Sequence, residues 1–223
     1  MKWRTEVIGD CILHNADCME VLETLGKVDA VVTDPPYGIS ADRERKSEKW
    51  GWKDYPGGGW DNERPTAEAI AALIAAAPHV VIWGGNYFAL PPSSKWLVWD
   101  KGQTDFSLAD CELAWCSFDG AVRRIEYPRS KALQDGKEHP TQKPVEVMRW
   151  CLEKLPKGCG TILDPYMGSG TTGVACVSMG RKFIGIEREP IHFESACRRI
   201  EQAYKQPDFF VPAPAKRKQE SML

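Results

Sequence analysis

Two short apolar runs in this chain each end in an acid followed by proline, and that repeated ending constrains the fold more than any other feature. Val28–Thr33 passes directly into Asp34, Pro35, Pro36, Tyr37 and Gly38, and Thr161–Leu163 into Asp164, Pro165, Tyr166, Met167, Gly168, Ser169 and Gly170. Short, near-continuous apolar runs read as strands buried on both faces. Open α/β sheets bind ligands beyond the carboxyl ends of such strands, which is where both acids fall.

The rest of the chain supports this frame. Further strand candidates are Cys11–Asn15, Val80–Trp83, Lys95–Trp99, Cys111–Phe118 and Lys182–Ile186. Helix candidates are Cys18–Leu25, Thr66–Ala76, Pro144–Leu155, Thr171–Met179 and Pro190–Tyr204. Their alternation predicts an α/β domain over 1–205 with a parallel, doubly covered sheet. Ile39–Pro65 interrupts the pattern with Trp50, Trp52 and Trp60 around Gly57–Gly59 and reads as a long functional loop. Residues 206–223, with Pro207, Pro212, Pro214 and the basic run Lys216–Lys218, read as a disordered tail. No segment approaches the ~20 apolar residues of a membrane span. The start lacks an apolar signal core, which predicts a cytoplasmic protein with reduced thiols. Its eight cysteines form no C-x-x-C pair, so no metal site is predicted. A net charge of −2 leaves nucleic acid open as a partner, because a local basic patch suffices.

The first acidic motif suits a ring-attached amine. Pro35 and Pro36 remove two N–H donors and stiffen the backbone, leaving carbonyl acceptors beside the Asp34 carboxylate. The exocyclic amine of a base is a poor nucleophile because its lone pair is delocalised into the ring. If Asp34 and the Pro35 carbonyl each accept one amine hydrogen, the nitrogen is drawn toward tetrahedral geometry and its lone pair faces outward. Tyr37 then supplies a flat face for a base flipped out of its duplex. The same residues also suit a plain strand-to-loop turn with Asp34 as the turn former.

The second motif suits a nucleoside. The Gly168–Gly170 turn lets backbone approach a ligand closely, yet it lacks the full G-x-G-x-x-G spacing and no Gly-Lys-Ser/Thr follows. A pyrophosphate is therefore not the natural guest. The strand Lys182–Ile186 ends in Glu187, an acid placed to accept hydrogen bonds from both hydroxyls of a ribose. Taken singly, the glycine turn also fits a close helix–strand crossing and Glu187 an exposed strand-end acid.

In chain order, DPPYG at 34–38, HPTQKP at 139–144, DPYMGSGTT at 164–172 and GIERE at 185–189 resemble the amino-group DNA methyltransferases of the β arrangement. In that family the catalytic motif precedes the cofactor motif, which implies a circularly permuted Rossmann-like methyltransferase sheet. The resemblance implies S-adenosylmethionine as cofactor and DNA as substrate. It implies Asp34, Pro35, Pro36 and Tyr37 as the catalytic site, with Asp34 also touching the cofactor. Asp17 and Cys18 match the segment that binds the cofactor's adenine, with Gly9–Cys11 as the alternative register. Thr141 and Lys143 match residues at the methionine end, where the competing reading is a helix-capping turn. Asp164, Pro165, Met167, Gly168, Ser169, Gly170 and Thr171 fall under the methionine portion, and Glu187 and Arg188 beside the ribose. The strands ending in Asp34 and Asp164 become neighbours at the sheet centre.

Asp rather than Ser at the head of the first motif implies adenine in this family, with the cytosine amine as the alternative. A cytosine carbon-5 enzyme is disfavoured because no proline precedes a cysteine. Arg123, Arg124, Arg129 and Lys131 lie in a basic stretch, within a candidate DNA-contacting segment at 119–138, and are spaced for phosphate or guanine contacts or for a solvated loop. Trp50, Trp52 and Trp60 suit closure over a flipped nucleotide or packing on the core. The competing functions are methylation of RNA or of a protein glutamine, and a DNA-binding module without turnover. Compactness suggests a solitary bacterial or phage-borne methylase, monomeric or dimeric.

Overall fold

Alternating apolar patterns assemble into one nine-stranded mixed sheet in a computed structural model that describes residues 2–39, 64–104, 109–128, 131 and 142–205. The strands are β1 (Arg4–Ile8), β2 (Cys11–Asn15), β3 (Ala30–Thr33), β4 (His79–Trp83), β5 (Trp96–Asp100), β6 (Cys111–Cys116), β7 (Arg123–Glu126), β8 (Thr161–Asp164) and β9 (Lys182–Glu187). Their spatial order is β1-β2-β9-β8-β3-β4-β6-β5-β7. The helices are α1 (Cys18–Leu22), α2 (Ala67–Ala75), α3 (Val145–Glu153), α4 (Thr171–Ser178) and α5 (Pro190–Lys205), with a 3₁₀ turn at Gly85–Tyr87. Thr66 caps α2 by accepting from the Ala69 amide at 3.2 Å.

The sheet is parallel from β2 through β9, β8 and β3 to β4, as the alternation predicts. It departs from that expectation at both flanks. β1 pairs antiparallel with β2, and β6 runs antiparallel to both β4 and β5. A second correction concerns Arg123 and Arg124, which form edge strand β7 rather than a loop, parallel to β5.

The doubly covered centre follows from period-two alternation. In β3 every residue is buried, because Ala30 and Val32 point into one layer while Val31 points into the other. The first layer packs on α3, α4 and α5 through residues such as Met148, Cys176 and Phe193. The second packs on α1 through Val21, with Trp115 of β6 and Leu163 of β8 on the same face. Among the described residues, no helix is long and apolar enough to cross a membrane.

Leu163 is 1% exposed at the sheet centre. Leu163→Ala is expected to lower unfolding free energy by about 2–5 kcal/mol in urea titration. Val7→Ala, at a position 68% exposed on β1, is expected to change it by less than about 0.5 kcal/mol.

Candidate active site

Four neighbouring parallel strands present their carboxyl ends on the same side of the sheet, and each is followed or closed by an acid. β2 leads to Asp17, β9 ends in Glu187, β8 ends in Asp164, and β3 leads to Asp34. A cavity of about 500 Å³ opens above them. Its wall includes Asp17, Cys18, Asp34, Pro36, Lys143, Asp164, Pro165, Met167, Gly168, Ser169, Thr171, Glu187 and Arg188, so most of the expected site residues converge. Pro35, Tyr37 and Gly170 are not among its lining residues. Thr141 lies outside the described residues.

Asp164 ties the floor together. Its carboxylate accepts from Thr33 Oγ1 at 2.8 Å, from the Tyr166 amide at 3.1 Å and from Thr172 Oγ1 at 2.6 Å. Burial raises its pKa to about 6, against the pull of those hydrogen bonds. Glu187 accepts from the Gly168 and Glu189 amides at 2.9 and 2.8 Å. Burial outweighs these bonds too and holds it at about 7. Asp17 caps α1 by accepting from the Met19 amide at 2.9 Å.

The glycine turn carries a clamp that the sequence did not reveal. One nitrogen of Arg199, on α5, donates to the Ser169 carbonyl at 2.6 Å, to Ser169 Oγ at 2.8 Å and to Thr171 Oγ1 at 3.1 Å. Gly170 adopts φ +79°, and a Cβ there would lie 2.9 Å from that of Ala196. The turn is thus fixed from the helix side while its other side faces the cavity.

At the opposite end of the cavity, Asp34 is already engaged. Tyr37 donates its hydroxyl to Asp34 Oδ1 at 2.5 Å, and the Lys143 ammonium sits 2.5 Å from Oδ2. Burial pushes the Asp34 carboxyl above its ordinary range, against Lys143 and with help from Glu112. The Tyr37 ring, expected to stack on a base, lies parallel to Tyr87 with centroids 4.8 Å apart. Gly84 makes this possible, because at φ +68° a Cβ would fall 2.1 Å from the Tyr37 ring.

Lys143, expected at the methionine end, also contacts Glu112 at 3.1 Å and lies over the Trp83 ring at 5.0 Å. Glu112 in turn meets Lys101 at 2.8 Å. Burial works against the Glu112 charge, yet Lys143 and Lys101 outweigh it and hold the carboxyl at about 2. Glu112, Lys101 and Arg64 were not legible as site residues. Arg64 donates to the Tyr37 carbonyl at 2.6 Å and the Tyr87 carbonyl at 3.3 Å.

The expected DNA-contacting residues separate. β7 lies four strands from β3, roughly 19 Å at ordinary strand spacing. There Arg124 is paired with Asp100 at 2.9 Å and Glu126 at 3.3 Å, so two carboxylates already meet its charge. Lys131 lies over the Tyr127 ring at 4.9 Å. Trp50, Trp52, Trp60 and Arg129 lie outside the described residues, as does the tail from 206.

The chemistry of the cavity wall discriminates among guests. Five carboxylates (Asp17, Asp34, Asp164, Glu187 and Glu189) face three cations, Arg64, Lys143 and Arg188. That balance disfavours a polyphosphate.

A family profile described as DNA methylase matches residues 82–198, a span that takes in the HPTQKP, DPYMGSG and GIERE motifs. A stretch of 63 residues is 44% identical to the type II methyltransferase M2.LlaDCHI of Lactococcus lactis subsp. cremoris, 28% of this chain and 23% of that protein. M2.DpnII of Streptococcus pneumoniae is also 44% identical, over 64 residues, 29% of this chain and 24% of that protein. The chain thus spans about a quarter of the length of the curated relatives it matches. Among solved structures, the M1.HpyAVI–SAM complex aligns with a TM-score of 0.54 at 25% identity, over 84% of this chain and 98% of that one. PvuII DNA methyltransferase (cytosine-N4-specific) aligns with a TM-score of 0.58 at 16% identity, over 90% and 93%, a likeness of fold. Strand order, acid-lined cavity and profile match agree: this chain belongs to the DNA methylase family of amino-group methyltransferases, the N6-adenine and N4-cytosine group.

Proposed function

We propose that the chain transfers a methyl group from S-adenosylmethionine to the exocyclic amine of adenine in double-stranded DNA, with the target base flipped out of the helix. The observation that carries this reading is one cavity bordered by Asp34 and Pro36 at one end and by Asp17, Cys18 and Glu187 at the other. The likeness to M1.HpyAVI, whose structure holds SAM, supports the cofactor. The aspartate heading the first motif supports adenine.

S-adenosylmethionine, when bound, supplies an electrophilic methyl group on a positively charged sulfur. Asp17 and Cys18 flank the adenine, Glu187 accepts from the ribose hydroxyls, and the Met167–Thr171 turn carries the amino-acid end. The acidic wall favours the sulfonium charge. Asp34 and the Pro35 carbonyl accept the two hydrogens of the target amine and orient its lone pair. Tyr37 acts through Asp34, fixing its carboxylate by the 2.5 Å hydrogen bond and by its own packing on Tyr87. DNA contacts are assigned to the Trp50–Trp60 segment and to Arg123, Arg129 and Lys131, with Arg124 a weaker candidate because of its ion pairs.

Incubating the protein with unmethylated DNA and S-adenosylmethionine, then digesting to nucleosides for mass spectrometry, is expected to yield N6-methyldeoxyadenosine. Asp34→Ala is expected to lower kcat by about a hundredfold or more. N4-methyldeoxycytidine would overturn adenine as the target, and no methylated nucleoside would overturn the reading as a whole.

A second expectation concerns pH. Glu187 titrates at about 7, so its protonated form dominates below that value and lacks one acceptor for a ribose hydroxyl. Cofactor affinity by calorimetry is therefore expected to rise between pH 6 and pH 8, the interval that spans that pKa. Glu187→Gln is expected to weaken binding about tenfold and to flatten that rise. A pH-independent wild-type affinity would remove Glu187 from the ribose role.

A further inference from the structure

Resting on the methyltransferase reading, the geometry points to Glu112 as a positioning residue that receives Lys143 when Asp34 turns to the target amine. Asp34 has both oxygens occupied, by the Tyr37 hydroxyl and by the Lys143 ammonium, each at 2.5 Å. An oxygen facing a cation at that distance is a weaker acceptor for a neutral amine. Engagement of the amine is therefore strengthened when Lys143 loosens its hold.

Lys143 cannot simply retreat to solvent. Its side chain is 4% exposed and lies over the Trp83 ring. Leaving such an ammonium without a counter-charge is strongly unfavourable. Glu112 removes that obstacle, since its Oε2 already stands 3.1 Å from the same ammonium. A small displacement of Lys143 exchanges one carboxylate for another without exposing or orphaning its charge. Lys101, 2.8 Å from Glu112 Oε1, anchors that second carboxylate from the far side. Tyr37 completes the arrangement, because its hydroxyl accepts from Lys143 at 3.1 Å while donating to Asp34. Glu112 is absent from the cavity wall and reaches it only through Lys143, so its effect is expected on the chemical step more than on cofactor binding.

The test is steady-state methylation by the full chain, with wild type, Glu112→Gln and Glu112→Asp compared at saturating DNA. Glu112→Gln keeps the shape and removes the charge. Its kcat is expected to fall by about tenfold or more while KM for S-adenosylmethionine changes by less than about twofold. Glu112→Asp keeps the charge one methylene further away and is expected to lose less, about threefold. It also serves if thermal melting shows that Glu112→Gln does not fold. Wild-type kcat in Glu112→Gln, or in Glu112→Asp where Glu112→Gln does not fold, or a loss carried entirely by the cofactor KM, overturns the inference. A wild-type protein that transfers no methyl group overturns instead the functional reading beneath it, so the two failures are separable.

Discussion

The arrangement rests on one buried carboxylate. Asp164 accepts hydrogen bonds from a side chain on β3, from the backbone of its own turn and from the first turn of α4. It therefore locks the strand that carries the DPPY motif to the strand that carries the glycine turn. These segments are about 130 residues apart in the chain, and their adjacency at the sheet centre is what sets the two motifs on one cavity. Burying a carboxylate is unfavourable unless its lone pairs are satisfied, which explains why Thr33 and Thr172 occupy positions that are otherwise apolar in character.

Around that floor, charge does the sorting. The cavity is lined by more acids than bases, and the Lys143 ammonium is held between Asp34 and Glu112. An acidic pocket of this kind disfavours phosphate groups. The stacking of Tyr37 on Tyr87 and the arginine clamp on Ser169 give the two halves of the pocket rigid backs.

Much of this was legible from residue order. Cys11–Asn15 was recovered to the residue, and the parallel centre followed from short apolar runs alternating with helices. The site acids were visible because each closes or follows a strand. β1 carries little strand signal because its exposures alternate weakly at a sheet edge, and β7 because Arg-Arg-Ile-Glu reads as solvated charge. Strand direction at β6 was hidden, since a hydrophobic period of two is the same in parallel and antiparallel strands. The pairing of Lys143 with Glu112 was beyond reach for a different reason. It joins a loop residue to a strand 31 positions earlier, and nothing in local pattern marks one acid among many as its partner.

Where a nucleoside sits on the sheet decides the function. A crystal structure of the protein with S-adenosylhomocysteine and an oligonucleotide tests this directly. The expected result places the adenosine between Cys18 and Glu187, the sulfur toward Asp34, and an unstacked adenine with its amine on the Asp34 carboxylate. A nucleoside bound elsewhere on the sheet, or Asp34 still closed by Lys143 with the base outside the cavity, would contradict it.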